Sequence, residues 1–363
     1  MPQVTVALGE RSYLVHVQAG AVARVAEFLP KGAAPARALV VSDANVAPLY
    51  AGPVLDSLRK AGVPAALSVM PPGEGEKTLA RVEALYHEMV DAGLDRQSLV
   101  VALGGGVVGD VAGFAAATYM RGIALLQVPT TVVAQVDSSI GGKTGVDLPE
   151  GKNLVGAFHQ PVAVVIDPET LRSLPEREVR AGLAEVVKHG VIRDAAYFGF
   201  LEREGRRLLQ MSAKTAERVI TRSVEIKSAV VSADERELGL RAILNYGHTV
   251  GHALEVVTGY RKYLHGEAIA VGMAAAANLS LSSGLCDRET ADRITGLLSA
   301  LGLPTAPESV RAGEILAVLS RDKKALAGRA RFVLPRRIGS VEIVDDLSDE
   351  VLEKGLLMTG FIR

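Results

Sequence analysis

Residues 99–120 read LVVALGGGVVGDVAGFAAATYM, and this stretch decides how the rest of the chain is interpreted. The run is long enough to span a bilayer, but the central Asp110 and the glycines at 104–106 favour a buried strand, a glycine turn and a buried helix. Gly104, Gly106 and Gly109 match G-x-G-x-x-G, in which backbone N–H groups at a helix N-terminus can approach a pyrophosphate. Taken alone the match is weak, because the motif does not follow the first strand and no acidic residue follows about twenty positions later.

Short β-rich runs alternate with helical patterns on both sides of this stretch, as in a parallel sheet covered by helices. The runs are ARALVVSDANVA, AALSVMPPG, ALLQVPTT and AVVIDP, and QVTVALGERSYLVHVQ at the start predicts an antiparallel hairpin. After about Pro175 helical patterns take over, with a late pair of possible strands at ARFVLPRRIG and SVEIVDD. We therefore predict a Rossmann-like α/β domain over 1–175, a mainly α-helical domain over 176–363, and an active site in the cleft between them.

Charge and cysteine content exclude several classes of protein. The 363 residues include 40 basic and 41 acidic side chains, and the resulting net charge of −1 gives no general attraction to nucleic acid or to an anionic membrane. The single cysteine, Cys286, cannot form an intrachain disulfide and is expected to be a buried thiol in a reducing compartment. Glu10 and Arg11 interrupt the stretch where an export signal needs apolar residues, so we expect a cytoplasmic protein.

Acidic residues near other strand ends offer partners for a nucleotide ribose. Asp43 directly follows the run ALVVS, and the loop PPGEGEKT supplies Glu74 and Lys77. Carboxylates in such positions favour a free 2′-hydroxyl, and hence NAD over NADP. The alternative is that Asp43 and Glu74 only cap helices, and the local sequence leaves both interpretations open.

The segment RAILNYGHTVGH places Arg241, Asn245, His248 and His252 at offsets 0, 4, 7 and 11, which on one continuous helix form a single stripe. Two histidines four residues apart are a common way for a helix to present imidazoles to one site, and His265 follows after a short loop.

A carboxylate upstream could complete a metal site with these imidazoles. Glu185 and Lys188 share a helix face in GLAEVVKHG. One carboxylate and two imidazoles with an open position make a plausible catalytic zinc site that polarises a substrate hydroxyl or carbonyl. A histidine pair alone is more often structural, but the carboxylate and the Arg/Asn stripe favour a functional site.

Basic residues recur in stretches that we interpret as glycine-rich polar loops suited to holding an oxyanion. These stretches hold Arg121 in TYMRG, Asp137 and Lys143 in QVDSSIGGKTG, and Lys152 and Asn153 in EGKNLVG. Further positive charge comes from Lys227, Arg241, Lys323 and Lys324. In a chain with almost no net charge, this pattern indicates a small substrate with more than one anionic group.

Ten of these motifs occur in an order that resembles the 3-dehydroquinate synthase family of sugar-phosphate cyclases. They are GER, GEGEKT, ALGGGVVGD, QVPTT, QVDSSIGGKTG, GKNLVGAF, GLAEVVKHG, RAILNYGHTVGHALE, LHGEA and RDKKALAG. The resemblance implies conversion of 3-deoxy-arabino-heptulosonate 7-phosphate to 3-dehydroquinate and phosphate in the shikimate pathway. It also implies transient oxidation by NAD, β-elimination of phosphate, re-reduction, ring opening and aldol closure, without net redox change.

The resemblance also implies roles for individual residues. A divalent metal, Zn²⁺ or Co²⁺, would be bound by Glu185, His248 and His265. NAD would be bound by Asp43, Glu74, Lys77, Gly105, Gly106, Val107, Val108, Gly109, Asp110, Thr130 and Thr131, to which we add Asp137, Lys143 and Lys152. Lys227, Arg241 and Asn245 would bind the substrate carboxylate and nearby hydroxyls. The phosphate end of the substrate would be bound by Lys143, Lys152, Asn153 and His252. Lys188 and one lysine of the 323–324 pair, for which we favour Lys324 over Lys323, complete the catalytic set. Arg121 would reach the neighbouring subunit's site, which implies a homodimer.

Three other interpretations stay open. A metal-dependent NAD polyol or alcohol dehydrogenase on a related scaffold would need no phosphate pocket. The residues that argue against this alternative are Lys143, Lys152, Asn153 and Arg121. A cyclase of a different sugar phosphate would not need Arg241 and Asn245 for a carboxylate. A non-catalytic NAD-binding protein would bind without turnover.

Overall fold

The computed structural model describes residues 2–30, 34–325, 331–345 and 347–363, with the backbone alone described at 321–325. The strands are β1 Gln3–Val6, β2 Tyr13–Val17, β3 Ala38–Asp43, β4 Ala65–Met70, β5 Leu99–Gly104, β6 Ala124–Pro129, β7 Lys143–Leu148, β8 Gly151–Phe158, β9 Ala163–Ile166, β10 Arg331–Arg337 and β11 Ser340–Asp345. The α-helices are α1 Ala47–Lys60, α2 Leu79–Asp91, α3 Gly106–Thr118, α4 Glu176–Arg193, α5 Ala195–Glu204, α6 Ala213–Ala233, α7 His248–Val257, α8 His265–Ser282, α9 Arg288–Ala300, α10 Ala312–Ala325 and α11 Asp349–Met358.

A seven-stranded sheet forms the centre of the first compact unit, which comprises Met1–Leu174 and Ala213–Arg236. Its strand order is β1-β2-β9-β6-β5-β3-β4, and the pairs are parallel except for the β1–β2 hairpin. The predicted parallel sheet and the predicted N-terminal hairpin are therefore confirmed.

Both faces of this sheet are covered, which explains why its strands are almost continuously apolar. In β3, Leu39 and Val41 pack into one cluster with side chains of α2 and α3, whereas Val40 packs into another with side chains of α1. This division follows from the two-residue repeat of a strand, which sends successive side chains to opposite faces.

The stretch 99–120 forms the strand, turn and helix that its sequence predicts. Strand β5 ends at Gly104, and α3 begins at Gly106. The turn is tight, because a Cβ built at Gly104 would lie 2.6 Å from Cγ2 of Val108. Among the described residues, none of the helices has the length and apolar character needed to cross a membrane.

The predicted loops around residues 143–158 are instead a β-hairpin of strands β7 and β8. Lys143, Lys152 and Asn153 therefore lie on strands, and the interpretation of these segments as loops is wrong. Their glycines allow the two backbones to approach, since a Cβ built at Gly156 would lie 2.2 Å from the carbonyl oxygen of Thr144.

The second compact unit comprises Pro175–Ser212 and Glu237–Arg363 and is mainly helical. Helix α8 is buried along most of its length and packs against α4, α7, α9 and α11. The predicted late strand pair is confirmed as the antiparallel hairpin of β10 and β11.

The compact units differ from the predicted domains in the placement of α6. The first division, at Leu174, falls beside the predicted boundary at 175, but residues 213–236 belong with the sheet unit. The backbone N–H of Ala7 donates a 2.8 Å hydrogen bond to Oγ of Ser232, and Nζ of Lys227 donates a 2.6 Å hydrogen bond to the carbonyl oxygen of Asp137. The helical sequence pattern of residues 213–236 predicts a helix but does not show which hydrophobic core that helix joins.

Candidate active site

Glu185, His248 and His265 come from three helices, α4, α7 and α8, whose backbones lie almost in contact. A Cβ built at Gly266 would lie 1.8 Å from the carbonyl oxygen of Ala181 on α4. A Cβ built at Gly272 would lie 1.9 Å from the carbonyl oxygen of Gly247, which precedes α7. Glycine at these crossings brings the first residues of α7 and α8 beside the middle of α4.

The donor atoms of these three side chains converge, all lying within 4.8 Å of one another. Glu185 Oε1 lies 3.7 Å from Nε2 of His248 and 3.7 Å from Nε2 of His265. Ligand atoms around a tetrahedral zinc ion are about 3.4 Å apart, so the separations suit a bound cation. Glu185 is fully buried, and its Oε1 accepts no hydrogen bond from the described residues. A buried carboxylate oxygen without a donor is costly, and a metal ion would compensate it.

Both imidazoles direct Nε2 toward Glu185. Nδ1 of His248 lies 3.1 Å from the carbonyl oxygen of Tyr246, so an N–H at Nδ1 donates there and Nε2 keeps its lone pair. Burial, together with the positive charge of Lys188, lowers the pKa of His248 well below its usual value. The ring is therefore neutral, as a metal ligand must be.

Lys188 lies one turn after Glu185 on α4 and is also buried. Its ammonium forms an ion pair with Oε2 of Glu185, while Oε1 faces the two histidines. The i, i+3 spacing seen in the sequence therefore places a cation beside the candidate metal ligand.

The predicted continuous helix over 241–252 is wrong. Residues Leu240–Asn245 form a 3-10 helix, Gly247 adopts a left-handed conformation with φ 81°, and α7 begins at His248. Gly247 is needed because a Cβ there would lie 2.5 Å from Cγ of Met273 on α8. The break separates Arg241, which is buried, and Asn245, which is half-buried, from the stripe. His248 and His252 remain on one helix, with ring centroids 5.2 Å apart.

Two acidic residues that the sequence analysis missed lie beside these groups. Glu237 Oε1 accepts a hydrogen bond of 2.5 Å from Nδ2 of Asn245. Glu255 is buried on α7, with Oε1 3.5 Å from Nδ1 of His265. The spacing of Glu255, seven residues after His248 on the same helix face, is the signal that could have revealed it.

The predicted nucleotide residues follow the carboxyl ends of three adjacent parallel strands. Asp43 ends β3, Gly105 follows β5, and Thr130 and Thr131 follow β6. The chain leaves β3 toward β4 on one side and β5 toward β6 on the other, so β3 and β5 flank a topological switch point, where such sheets bind ligands.

The glycine turn offers the features that a dinucleotide needs. Gly105 precedes α3, whose N-terminus presents unsatisfied backbone N–H groups. A Cβ built at Gly105 would lie 3.1 Å from Cγ2 of Thr131, so a side chain there would crowd the turn. The buried hydroxyl of Thr130 has no hydrogen-bond partner among the described residues, which leaves it for a ligand.

The question whether Asp43 and Glu74 only cap helices has a different answer for each residue. Asp43 Oδ1 accepts the backbone N–H groups of Asn45 and Val46 at 2.8 and 3.1 Å, so it does brace the turn before α1. Glu74 lies in a 3-10 turn, and its Oε1 is 3.2 Å from Nζ of Lys152. The N-cap of the following helix, α2, is Thr78.

Lys77 contacts both a residue predicted to bind the nucleotide and a residue predicted to bind the substrate phosphate. Its Nζ donates a hydrogen bond of 2.8 Å to Oδ2 of Asp110 and another to Oδ1 of Asn153. Burial acts to lower the pKa of Lys77, but the negative charges of Asp110 and Glu74 outweigh it and raise that pKa. Burial raises the pKa of Asp110, and the charge of Lys77 partly offsets this.

The remaining predicted residues lie on several different elements of the structure. Lys227, buried on α6, also pairs with the carboxylate of Asp137, so these two residues belong to the first unit. Lys143 is exposed at the start of β7, and Arg121 is exposed after α3 with φ 70°. The side chains of Lys323 and Lys324 lie outside the described part of the chain.

Comparison with known proteins now decides the family. The family model for the 3-dehydroquinate synthase N-terminal region matches residues 67–181, and that for the C-terminal region matches residues 182–325. The chain belongs to the 3-dehydroquinate synthase family. A curated 3-dehydroquinate synthase from Symbiobacterium thermophilum is 53% identical over 355 residues, covering 96% of this chain and 98% of the relative.

Solved structures with related folds include other sugar cyclases. A 2-epi-5-epi-valiolone synthase from Streptomyces hygroscopicus, with NAD⁺ and Zn²⁺ bound, is 32% identical with a TM-score of 0.89, covering 97% of this chain and 98% of that one. A 2-deoxy-scyllo-inosose synthase complexed with carbaglucose-6-phosphate, NAD⁺ and Co²⁺ is 29% identical with a TM-score of 0.89, covering 98% and 99%. A protein from Sinorhizobium meliloti described as a "probable glycerol dehydrogenase" is 16% identical with a TM-score of 0.58, covering 95% of each chain, and shares the fold alone.

Proposed function

We propose that this chain converts 3-deoxy-arabino-heptulosonate 7-phosphate into 3-dehydroquinate and inorganic phosphate, the lyase reaction of its family. The observation that carries the proposal is the convergence of Glu185, His248 and His265, within a chain that matches this family over most of its length. A curated 3-dehydroquinate synthase is 53% identical to this chain, whereas the two other sugar cyclases are 32% and 29% identical.

We assign a divalent ion, Zn²⁺ or Co²⁺, to Glu185, His248 and His265, and NAD to the turn at Gly105. The fit rests on the buried Glu185 oxygen without a donor and on the unpartnered hydroxyl of Thr130. Relatives with NAD⁺ and Zn²⁺ or Co²⁺ support the same assignment. When bound, these groups would supply reversible hydride transfer and polarisation of a substrate hydroxyl.

The chain's own basic residues would bind the two anionic ends of the substrate. Buried Arg241 and the amide of Asn245 suit a carboxylate, because a guanidinium donates two parallel hydrogen bonds to it. Lys227 adds a second cation for the same group.

Glu74 pairs with Lys152, and Lys77 donates a hydrogen bond to Asn153. Lys152 and Asn153, held in this way, would bind the phosphate together with Lys143 and His252. The phosphate itself would accept the proton next to the transient carbonyl, with Lys152 and His252 orienting it. Elimination of phosphate requires that carbonyl. The carbon that loses the proton develops negative charge, and the adjacent carbonyl delocalises this charge while phosphate leaves.

We further propose a cytoplasmic homodimer in which Arg121 reaches the neighbouring subunit. Its exposed position is compatible with a contact to another subunit. Sedimentation of wild type and of Arg121→Ala, with turnover measured in parallel, tests this. A monomeric wild type, or a variant with full activity, contradicts it.

The function is tested by measuring phosphate and 3-dehydroquinate while NAD is present at far lower concentration than substrate. The expected result is equal amounts of both products, many times the amount of NAD, and loss of turnover with a metal chelator. A dehydrogenase would stop when NAD is exhausted and release no phosphate. A cyclase of another sugar phosphate would reject this carboxylated substrate.

A further inference from the structure

Glu255 is a buried carboxylate that the proposed reaction leaves without a role. It lies on α7 and is 3% exposed. Its Oε1 is 3.5 Å from Nδ1 of His265, and its Oε2 is 4.0 Å from Nε2 of His252. A carboxylate is costly to bury unless it interacts with a donor or a cation, so its position facing the imidazole needs an explanation.

The two rings of the candidate metal site differ in how their Nδ1 atoms are held. His248 has the carbonyl oxygen of Tyr246 at 3.1 Å, and its side chain is 12% exposed. The side chain of His265 is 36% exposed, and its Nδ1 faces Glu255. A neutral imidazole carries its proton on either nitrogen, and a proton on Nε2 would prevent that atom from binding a metal.

We propose that Glu255 is a positioning residue that holds the proton of His265 on Nδ1 and so directs the Nε2 lone pair toward Glu185. The inference rests on the proposed metal site, in which His265 is a ligand. Carboxylates that accept the second N–H of a metal-bound histidine fix its tautomer and raise its basicity.

The surrounding backbone holds both partners in this arrangement. Gly251 keeps α7 close to α8, because a Cβ there would lie 2.8 Å from Cδ1 of Ile269. The start of α8 is fixed by Glu267, whose Oε2 accepts the backbone N–H of Leu264 at 2.9 Å. The backbone of His265 is therefore set by its helix, and Glu255 faces the Nδ1 side of its ring.

A competing role for Glu255 is that of a direct ligand. The donor atoms of His252, Glu255 and His265 also lie within 4.8 Å of one another, so these residues could hold an ion of their own. In that case Glu255 would contribute to a second ion, and its loss would leave the affinity of the first ion unchanged.

The test compares wild type with Glu255→Gln and Glu255→Leu by titrating metal-free protein with Zn²⁺ against a chromophoric chelator. The expected result is one ion per chain and an affinity about 10- to 100-fold weaker in both variants. We expect the larger loss in Glu255→Leu, because glutamine retains an acceptor oxygen. Glu353→Gln, a substitution on the exposed face of α11, is the matched control and should bind as wild type does.

A second readout separates positioning from general stability. In metal-free protein labelled at histidine with ¹⁵N, the ring of His265 should be the Nδ1–H tautomer in wild type and change toward Nε2–H in Glu255→Leu. Unchanged zinc affinity and an unchanged tautomer in a folded variant would overturn the proposal. The proposal would also be overturned if wild type bound two zinc ions per chain and Glu255→Gln lost only the more weakly bound ion. A wild type that binds no zinc would instead count against the proposed function.

Discussion

Replacing Gly266 with alanine should disrupt the contact that brings the metal-binding helices together. The added Cβ would lie 1.8 Å from the carbonyl oxygen of Ala181, whereas real Cβ atoms essentially never approach a neighbour within 3.0 Å. Helices α4 and α8 must therefore separate locally by about 1.2 Å. Because metal–ligand distances tolerate changes of only about 0.2 Å, Glu185 and His265 could no longer share an ion in the same way.

The expected size of the effect follows from the steric overlap. Overpacking costs typically about 1–3 kcal/mol, and we expect the upper end here because the obstruction is backbone, which cannot rotate away. For a protein of this size, that corresponds to a fall in Tm on the order of 4 °C. Zinc affinity should fall at least about tenfold, as it does when the surroundings of a metal ligand are disturbed.

Two assays check this prediction, thermal unfolding of the metal-free protein and zinc titration against a chelator. Gly296→Ala is the matched control, because this glycine also lies within a helix, α9, and a Cβ added there would have no heavy atom within 4 Å. The control should keep wild-type affinity and gain up to about 1 kcal/mol in stability. If Gly266→Ala melts and binds zinc as the control does, the close helix contact does not set the ligand geometry.

Three further perturbations have expected outcomes. Lys77→Met should lower the free energy of unfolding by about 3 kcal/mol in urea denaturation, because it leaves the Asp110 carboxylate without its cation; an unchanged midpoint contradicts this. Burial acts to raise the pKa of Glu267, but hydrogen bonds from Arg177 outweigh it and lower that pKa. The resulting stabilisation is present above about pH 4.5 and is lost as pH falls through the lowered pKa, so Arg177→Gln should flatten the pH dependence of unfolding in this acid range. His248→Ala should abolish both stoichiometric zinc and the first formation of NADH, and near-normal NADH formation would refute its role as a ligand.

Local sequence was sufficient where neighbouring residues determine the structure. The β5, turn and α3 segment was predictable because its apolar run, its glycines and Asp110 together exclude other arrangements. Glu185, His248 and His265 could be grouped from residue chemistry and from the family resemblance before any distance was known.

Where distant contacts decide, the sequence was ambiguous. Glycines at 145 and 156 indicate a loop by composition, but they serve the close approach of two strands. The break at Gly247 depends on Met273 of α8, which periodicity within 241–252 cannot reveal. The same limit applies to Glu255, whose partner His265 lies on another helix.

The convergence of Glu185, His248 and His265 is tested most directly by anomalous X-ray diffraction at the zinc edge from crystals grown with Zn²⁺. The account predicts a peak bonded to a carboxylate oxygen of Glu185 and to Nε2 of both histidines at about 2.0–2.2 Å. A zinc peak on other residues, with these three side chains free of metal, would contradict it.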